Sequence, residues 1–250
     1  CVADEGFITQ CRALGLYPMA YYPHNIHFLW WAATNTGQSA LSIETARKCA
    51  EQMPEDMLKS MPNFQTFHAI PLYALARFGK WDEILAEPAP ADDLMFEKGL
   101  WHYARGLAFA RKHQFNEAAA ELAALEASIE HPKLDAVVWQ GPPQVTLSIA
   151  AKALEGELAG EQSQFGKAVA ALDSAVRIQD GVTYNEPPDW YYPVRQSLGA
   201  VLLAAGKPAE AATVYWDDLK RNRENPWSLF GLAQALRAQK DEAAAAEIDR

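Results

Sequence analysis

Several times along the chain, a stretch with apolar residues at helical spacing runs into a short polar turn, and an alanine-rich amphipathic stretch follows it. The turns are "FGKWDEI" (78–84), "KHQFNEA" (112–118), "QSQFGKA" (162–168), "AGKPAEA" (205–211) and "QKDEAAA" (239–245). Ile84 and Ala118 are 34 residues apart, and so are Ala211 and Ala245. Downstream stretches such as "NEAAAELAALEAS" and "GKAVAALDSAV" keep their apolar residues on one helical face. The pattern predicts an all-α chain built from a repeated helix–turn–helix unit of 34 residues.

Units start near residues 23, 65, 99, 149, 192 and 226. The unit from Tyr192 has Leu198 and Gly199 at its seventh and eighth positions, Leu202 at the eleventh, Ala211 at the twentieth and Tyr215 at the twenty-fourth. The unit from Gly99 has Gly106, Phe109, Ala118 and Leu122 at the last four of these, and the unit from Ile149 has Gly156, Ala159, Ala168 and Leu172. The unit from Pro23 keeps Trp30, Ala33, Ala46 and Pro54, and the last, from Pro226, keeps Leu232, Ala233 and Ala245. The unit from Gln65 keeps Leu75 and Ile84 but carries Pro71 inside its first helix. Small residues at positions 8 and 20 let two helices approach, and the large residue at position 24 fills the space beside them.

This pattern resembles the tetratricopeptide repeat (TPR). The resemblance implies a right-handed α-solenoid of about six helix pairs, forming one domain over residues 1–250, whose first helices line a concave groove. It also implies a scaffold that binds a partner protein or peptide there. The pairing of "YYPHNIHFLWWAA" with "YNEPPDWYYPVRQSLGAVLL" further resembles the C-terminal half of a group of bacterial TPR proteins, so a longer parent chain is expected. Family members that clamp an acidic peptide end use Lys and Asn on successive first helices. The matching positions here hold His27, Ala69, Tyr103, Ala153, Gln196 and Phe230, and that activity is not implied.

Three junctions carry extra residues: "MPEDMLKSMPN" (53–63), "HPKLDAVVWQGPPQ" (131–144) and "IQDGVTYNEPPDWY" (178–191). Insertions in such arrays map to loops on one face, often the binding face. The last holds Tyr184, Glu186, Asp189, Trp190 and Tyr191 around Pro187–Pro188. These aromatics either cover a mismatched junction or wall a pocket.

Charge narrows the partner. The formal net charge is −10, from 32 acidic and 22 basic residues, which opposes nucleic-acid binding and docking on acidic membranes. No run of about 18 apolar residues suggests a bilayer span. The compartment, cytoplasmic or periplasmic, is not readable. Cys1, Cys11 and Cys49 lack CxxC spacing; Cys1–Cys11 or Cys11–Cys49 bridges are conceivable, and free thiols are the plainer expectation. Phosphate loops, nucleophile elbows and the HExxH motif are absent.

The remaining chemistry lies in the histidines. His24 and His27 fall at positions 2 and 5 of the first unit and share a helix face. With Glu186 they form a possible metal set for zinc, copper or iron, and a metal-dependent enzyme is the alternative to the scaffold. His68 and His102 both replace the fourth-position Trp and are expected in the seam between helices. Arg105 and Arg195 suit pairing with an acidic ligand, although an internal partner such as Glu97 or Asp189 is the more ordinary assignment. The expected binding-groove residues are His24, His27, Trp31, Glu186, Trp190, Tyr191 and Arg195. A third reading, a structural spacer, predicts that none of them matters for binding.

Overall fold

A computed structural model describes residues 1–12, 15, 17–137 and 141–249. Residues 138–140 of the second insertion, and 13, 14 and 16 of the opening segment, lie outside the described residues.

Every regular element among the described residues is a helix, without a strand. A leading helix, α1 (Val2–Cys11), precedes six helix pairs. The first pair is α2 (Tyr22–Asn35) with α3 (Ser39–Glu51). A short helix, α4 (Glu55–Ser60), occupies the first insertion and buries Leu58. The second pair is α5 (Gln65–His68) and α6 (Ile70–Arg77) with α7 (Trp81–Ala86). Pro71 divides that first helix at Ala69, because proline offers no N–H and crowds the preceding turn. The later pairs are α8 (Met95–Arg111) with α9 (Phe115–Ile129), and α10 (Pro143–Glu161) with α11 (Phe165–Asp180). The last two are α12 (Arg195–Ala204) with α13 (Pro208–Arg221), and α14 (Pro226–Ala238) with α15 (Glu242–Ile248). Each pair packs on the next in chain order.

One turn joins the two helices of every pair. Its left-handed residue is Gly37, Gly79, His113, Ser163, Gly206 or Lys240, with φ between 57° and 74°. The following N–H reaches back five residues: Gln38 to Ala33, Lys80 to Leu75, Gln114 to Phe109, Gln164 to Ala159, Lys207 to Leu202 and Asp241 to Leu236, at 2.8–3.0 Å. This arrangement satisfies carbonyls that the helix end leaves open. Each left-handed residue lies fourteen positions after one of the six unit starts read from the sequence.

Close approach within and between pairs depends on missing side chains. A Cβ on Gly156 would lie 2.5 Å from Leu172, and one on Gly199 would lie 2.4 Å from the Tyr215 ring. From the other side, a Cβ on Gly231 would lie 2.2 Å from the same ring, so Tyr215 is held between two glycine-faced helices. Gly106 differs, because Leu154 of the next pair fills the space against it.

The array does not stay open along its inner face. Arg77 at the end of α6 donates to Gln196 of α12 at 2.6 Å, and its guanidinium lies 3.9 Å from the Trp227 ring centroid of α14. Asn225 reaches Asn35 of α2 at 3.5 Å. The first two pairs therefore meet the last two, unlike an array in which each repeat touches its neighbours alone. The cause is the third insertion.

Candidate functional site

Residues 181–194 cross the inner face between α11 and α12 and fill it with aromatic rings. Gln179 holds this segment at one end, donating to the Tyr192 carbonyl and accepting from Val194 N–H, each at 2.9 Å. Tyr191 stacks on Tyr73, centroids 4.5 Å apart, and its hydroxyl is 2.8 Å from that of Tyr103. Trp190 meets both tyrosine rings edge-on, at 5.7 Å and 5.0 Å. Trp190, Tyr191 and Tyr192 are 2%, 4% and 6% exposed. They are core residues that join helices distant in sequence. The expected first helix of the fifth pair accordingly begins at Arg195 rather than Tyr192, since the preceding residues belong to this plug.

Beside the segment lies a groove of about 450 Å³. Trp31 contributes one wall from α2, and Tyr184, Glu186 and Trp190 contribute another. Arg195 and Asn225 come from the fifth and sixth pairs. Four of the expected residues, Trp31, Glu186, Trp190 and Arg195, therefore share one space. Arg195 is not free within it: its two terminal nitrogens donate to the two oxygens of Asp180, each at 2.7 Å. Arg221 reaches the same carboxylate at 3.0 Å. Asp180, rather than Asp189, is thus the partner of Arg195, and Glu121 at 2.8 Å, rather than Glu97, is the partner of Arg105.

Asp180 offsets one of the two arginine charges, and the groove also holds the acids Glu186, Asp189 and Asp218. Glu186 is exposed and accepts a hydrogen bond from Tyr184, itself 76% exposed. Asp189 accepts from Asn185 at 2.7 Å, and burial pushes its carboxyl above the usual carboxylate range. Burial raises Asp218 as well, although Ser228 and Asn222 donate to it.

His27 occupies a different setting. It lines a cavity of about 40 Å³ that shares Asn185, Pro188 and Asp189 with the groove. Its ring stacks on Trp30 at 5.3 Å and meets the edge of Phe67 at 5.0 Å. Burial among these rings, with a smaller push from His24, drops its pKa to about 3, so the imidazole is neutral. His24 is exposed and packs on Phe28, ring centroids 4.7 Å apart. Three residues of helix leave two side chains about 60° apart around the axis. Here that difference sends one imidazole inward and the other to the surface.

The metal expectation is corrected on this geometry. Among the described residues no group of three His, Cys, Asp or Glu side chains could hold a metal ion. His24, His27 and Glu186 stand in separate surroundings, and zinc, copper or iron ligation by this set is withdrawn. Cys1, Cys11 and Cys49 are free thiols. Cys49 lies buried on α3, and burial pushes its thiol up to about 12.

The two fourth-position histidines do not share a role. His68 Nδ1 is 2.8 Å from Glu97 of the following pair, whereas His102 Nδ1 is 2.6 Å from Glu121 of its own pair. Both sit at helix seams, each against a carboxylate that the repeat pattern does not mark. Asp180, Arg221 and Asn225 were likewise outside the sequence-based site. Each belongs to the end of a helix or a turn, with no periodic signal attached.

Compared with protein-family models, curated proteins and solved structures, the chain matches none. No helix among the described residues is long and apolar enough to cross a membrane.

Proposed function

We propose that this chain is a TPR-like scaffold whose groove between α2, α12 and the 181–194 segment binds a basic segment of a partner protein. The observation that carries the reading is the composition of that groove. Trp31 and Tyr184 offer aromatic surface beside Glu186 and Asp189, while Arg195 and Arg221 are already tied to Asp180. An acidic, aromatic-walled space suits a Lys or Arg side chain, by charge and by cation–π contact. The overall charge of −10 favours the same partner through long-range attraction. Six equivalent turns at one phase of the repeat support the TPR-like reading.

The test is selection of displayed random peptides on the wild-type chain, followed by fluorescence anisotropy of the enriched sequences. Basic peptides are expected, with binding weakened by added salt. Affinity should fall about tenfold in both Trp31→Ala and Glu186→Gln, the loss of one charged or aromatic contact. These side chains are not in the fully buried core, so the variants retain the fold. No enriched family, or one that binds both variants unchanged, would overturn the proposal.

A further inference from the structure

A second space lies at the other end of Gln196, independent of the groove just described. It measures about 530 Å³ and is bordered by α10, α12 and α14. Its distinctive group is Arg77. The guanidinium has its carbon 3.9 Å from the Trp227 ring centroid and 5.3 Å from that of Tyr192. Its single hydrogen bond goes from Nη2 to the Gln196 amide oxygen at 2.6 Å. Arg77 Nε is buried without a partner, and so is Trp227 Nε1.

Other arginines of the described chain have acids. Arg47, Arg105, Arg111, Arg195 and Arg237 each pair with a carboxylate. Arg12 and Arg223, which do not, are exposed to water. Arg77 is the largely enclosed guanidinium without a carboxylate partner among the described residues. Burial holds it below the ordinary arginine value, although it remains a cation. An enclosed unpaired charge is costly, and a counter-ion at this place would relieve it.

We infer that this space binds a ligand carrying one carboxylate on an apolar body, with the carboxylate on Arg77. With Nη2 on Gln196 and Nε buried, Nη1 is the edge left for a carboxylate, as a charge-assisted hydrogen bond. A dianionic phosphate is disfavoured, because Glu157 and Glu161 also border the space and Arg111 offsets only one of their two charges. The apolar body is assigned to Phe230, which lines the same space and is 66% exposed. The volume is within the range of small-ligand sites.

The probe is phenylacetate, with phenylacetamide as its neutral counterpart and inorganic phosphate as the apolar-free anion. Binding is followed by NMR through the indole N–H resonance of Trp227. Phenylacetate should give a saturable shift and bind about tenfold tighter than phenylacetamide or phosphate, the worth of a charge-assisted pair. Arg77→Gln should abolish that preference, and Phe230→Ala should weaken phenylacetate severalfold. Should Arg77→Gln fail to fold, the acid-to-amide ratio on wild type and the Phe230→Ala effect decide the matter. Equal affinity for acid and amide, phosphate binding as tightly as phenylacetate, or no saturable shift would each overturn the inference.

Discussion

The Tyr215 ring offers the sharpest measure of how the helix pairs are held together. Gly199→Ala would place a methyl carbon 2.4 Å from Cζ and 2.7 and 2.8 Å from the two Cε atoms. The ring is 3% exposed and cannot retreat, since Gly231 bounds it on the opposite side at a similarly short distance. Overpacking of this kind costs about 1–3 kcal/mol, and the double confinement places this case at the upper end. Alanine improves helix propensity over glycine by about 1 kcal/mol, which leaves a net loss of about 2 kcal/mol. For a domain of this size that corresponds to a midpoint lower by about 4–8 °C. Gly166→Ala is the control, because nothing lies within 4 Å of its Cβ position. Thermal and urea unfolding followed by circular dichroism should show Gly199→Ala below wild type and Gly166→Ala at or above it. Trimming the ring in Gly199→Ala/Tyr215→Leu should recover about 1 kcal/mol relative to additive single effects. If Gly199→Ala proves as stable as Gly166→Ala, the packing account of position 8 is wrong.

Four further outcomes are expected. His113, Ser163 and Lys240 adopt the left-handed conformation at the turn, so replacing each by Gly should raise stability by about 1 kcal/mol in urea unfolding, whereas Gly206→Ala should lower it. The His27 pKa of about 3 lies below its unfolded value of 6.5, so an unfolded chain takes up a proton that the folded one refuses. The stability from neutral His27 is complete above pH 6.5 and is lost toward pH 3, by about 1.4 kcal/mol per unit; His27→Phe should flatten that part of the profile. His68 has the opposite sign: Glu97 raises its pKa, so its contribution is complete below 6.5 and disappears as pH rises through the folded value. His68→Gln should remove this alkaline loss, checked by unfolding at pH 6 and pH 8. Trp190→Ala should cost about 3–5 kcal/mol by opening a core cavity, and loss of a single cooperative transition in calorimetry would accompany it.

The helical framework was legible because repetition multiplies small signals. Gly156 against Leu172 and Gly199 against Tyr215 each obey a local rule of small facing large, and the rule recurs at a fixed spacing. The turn is equally repetitive, yet glycine marks it at Gly37, Gly79 and Gly206 and not at His113, Ser163 or Lys240. In those three the tertiary context holds an L-residue where glycine would be more comfortable, and the turn is read from its place in the repeat rather than from its residue.

The site was less legible, for a reason that follows from the same physics. A repeat pattern reports which face of a helix is buried against its neighbour, but it carries no information about a segment that interrupts the pattern. The 181–194 segment is such an interruption, and it reassigns the surfaces on which it lies. Trp190 and Tyr191, read as groove residues from their place in an insertion, become the core that draws the ends of the array together. Arg195, expected to face a ligand, is occupied by Asp180. Arg77 carries no motif at all, and is left without an acid because the neighbouring carboxylates Glu157 and Glu161 are committed to Arg111. The chain fills part of its own inner face with residues 181–194, and the two spaces beside it, one lined by Glu186 and Arg195 and the other by Arg77, differ in charge.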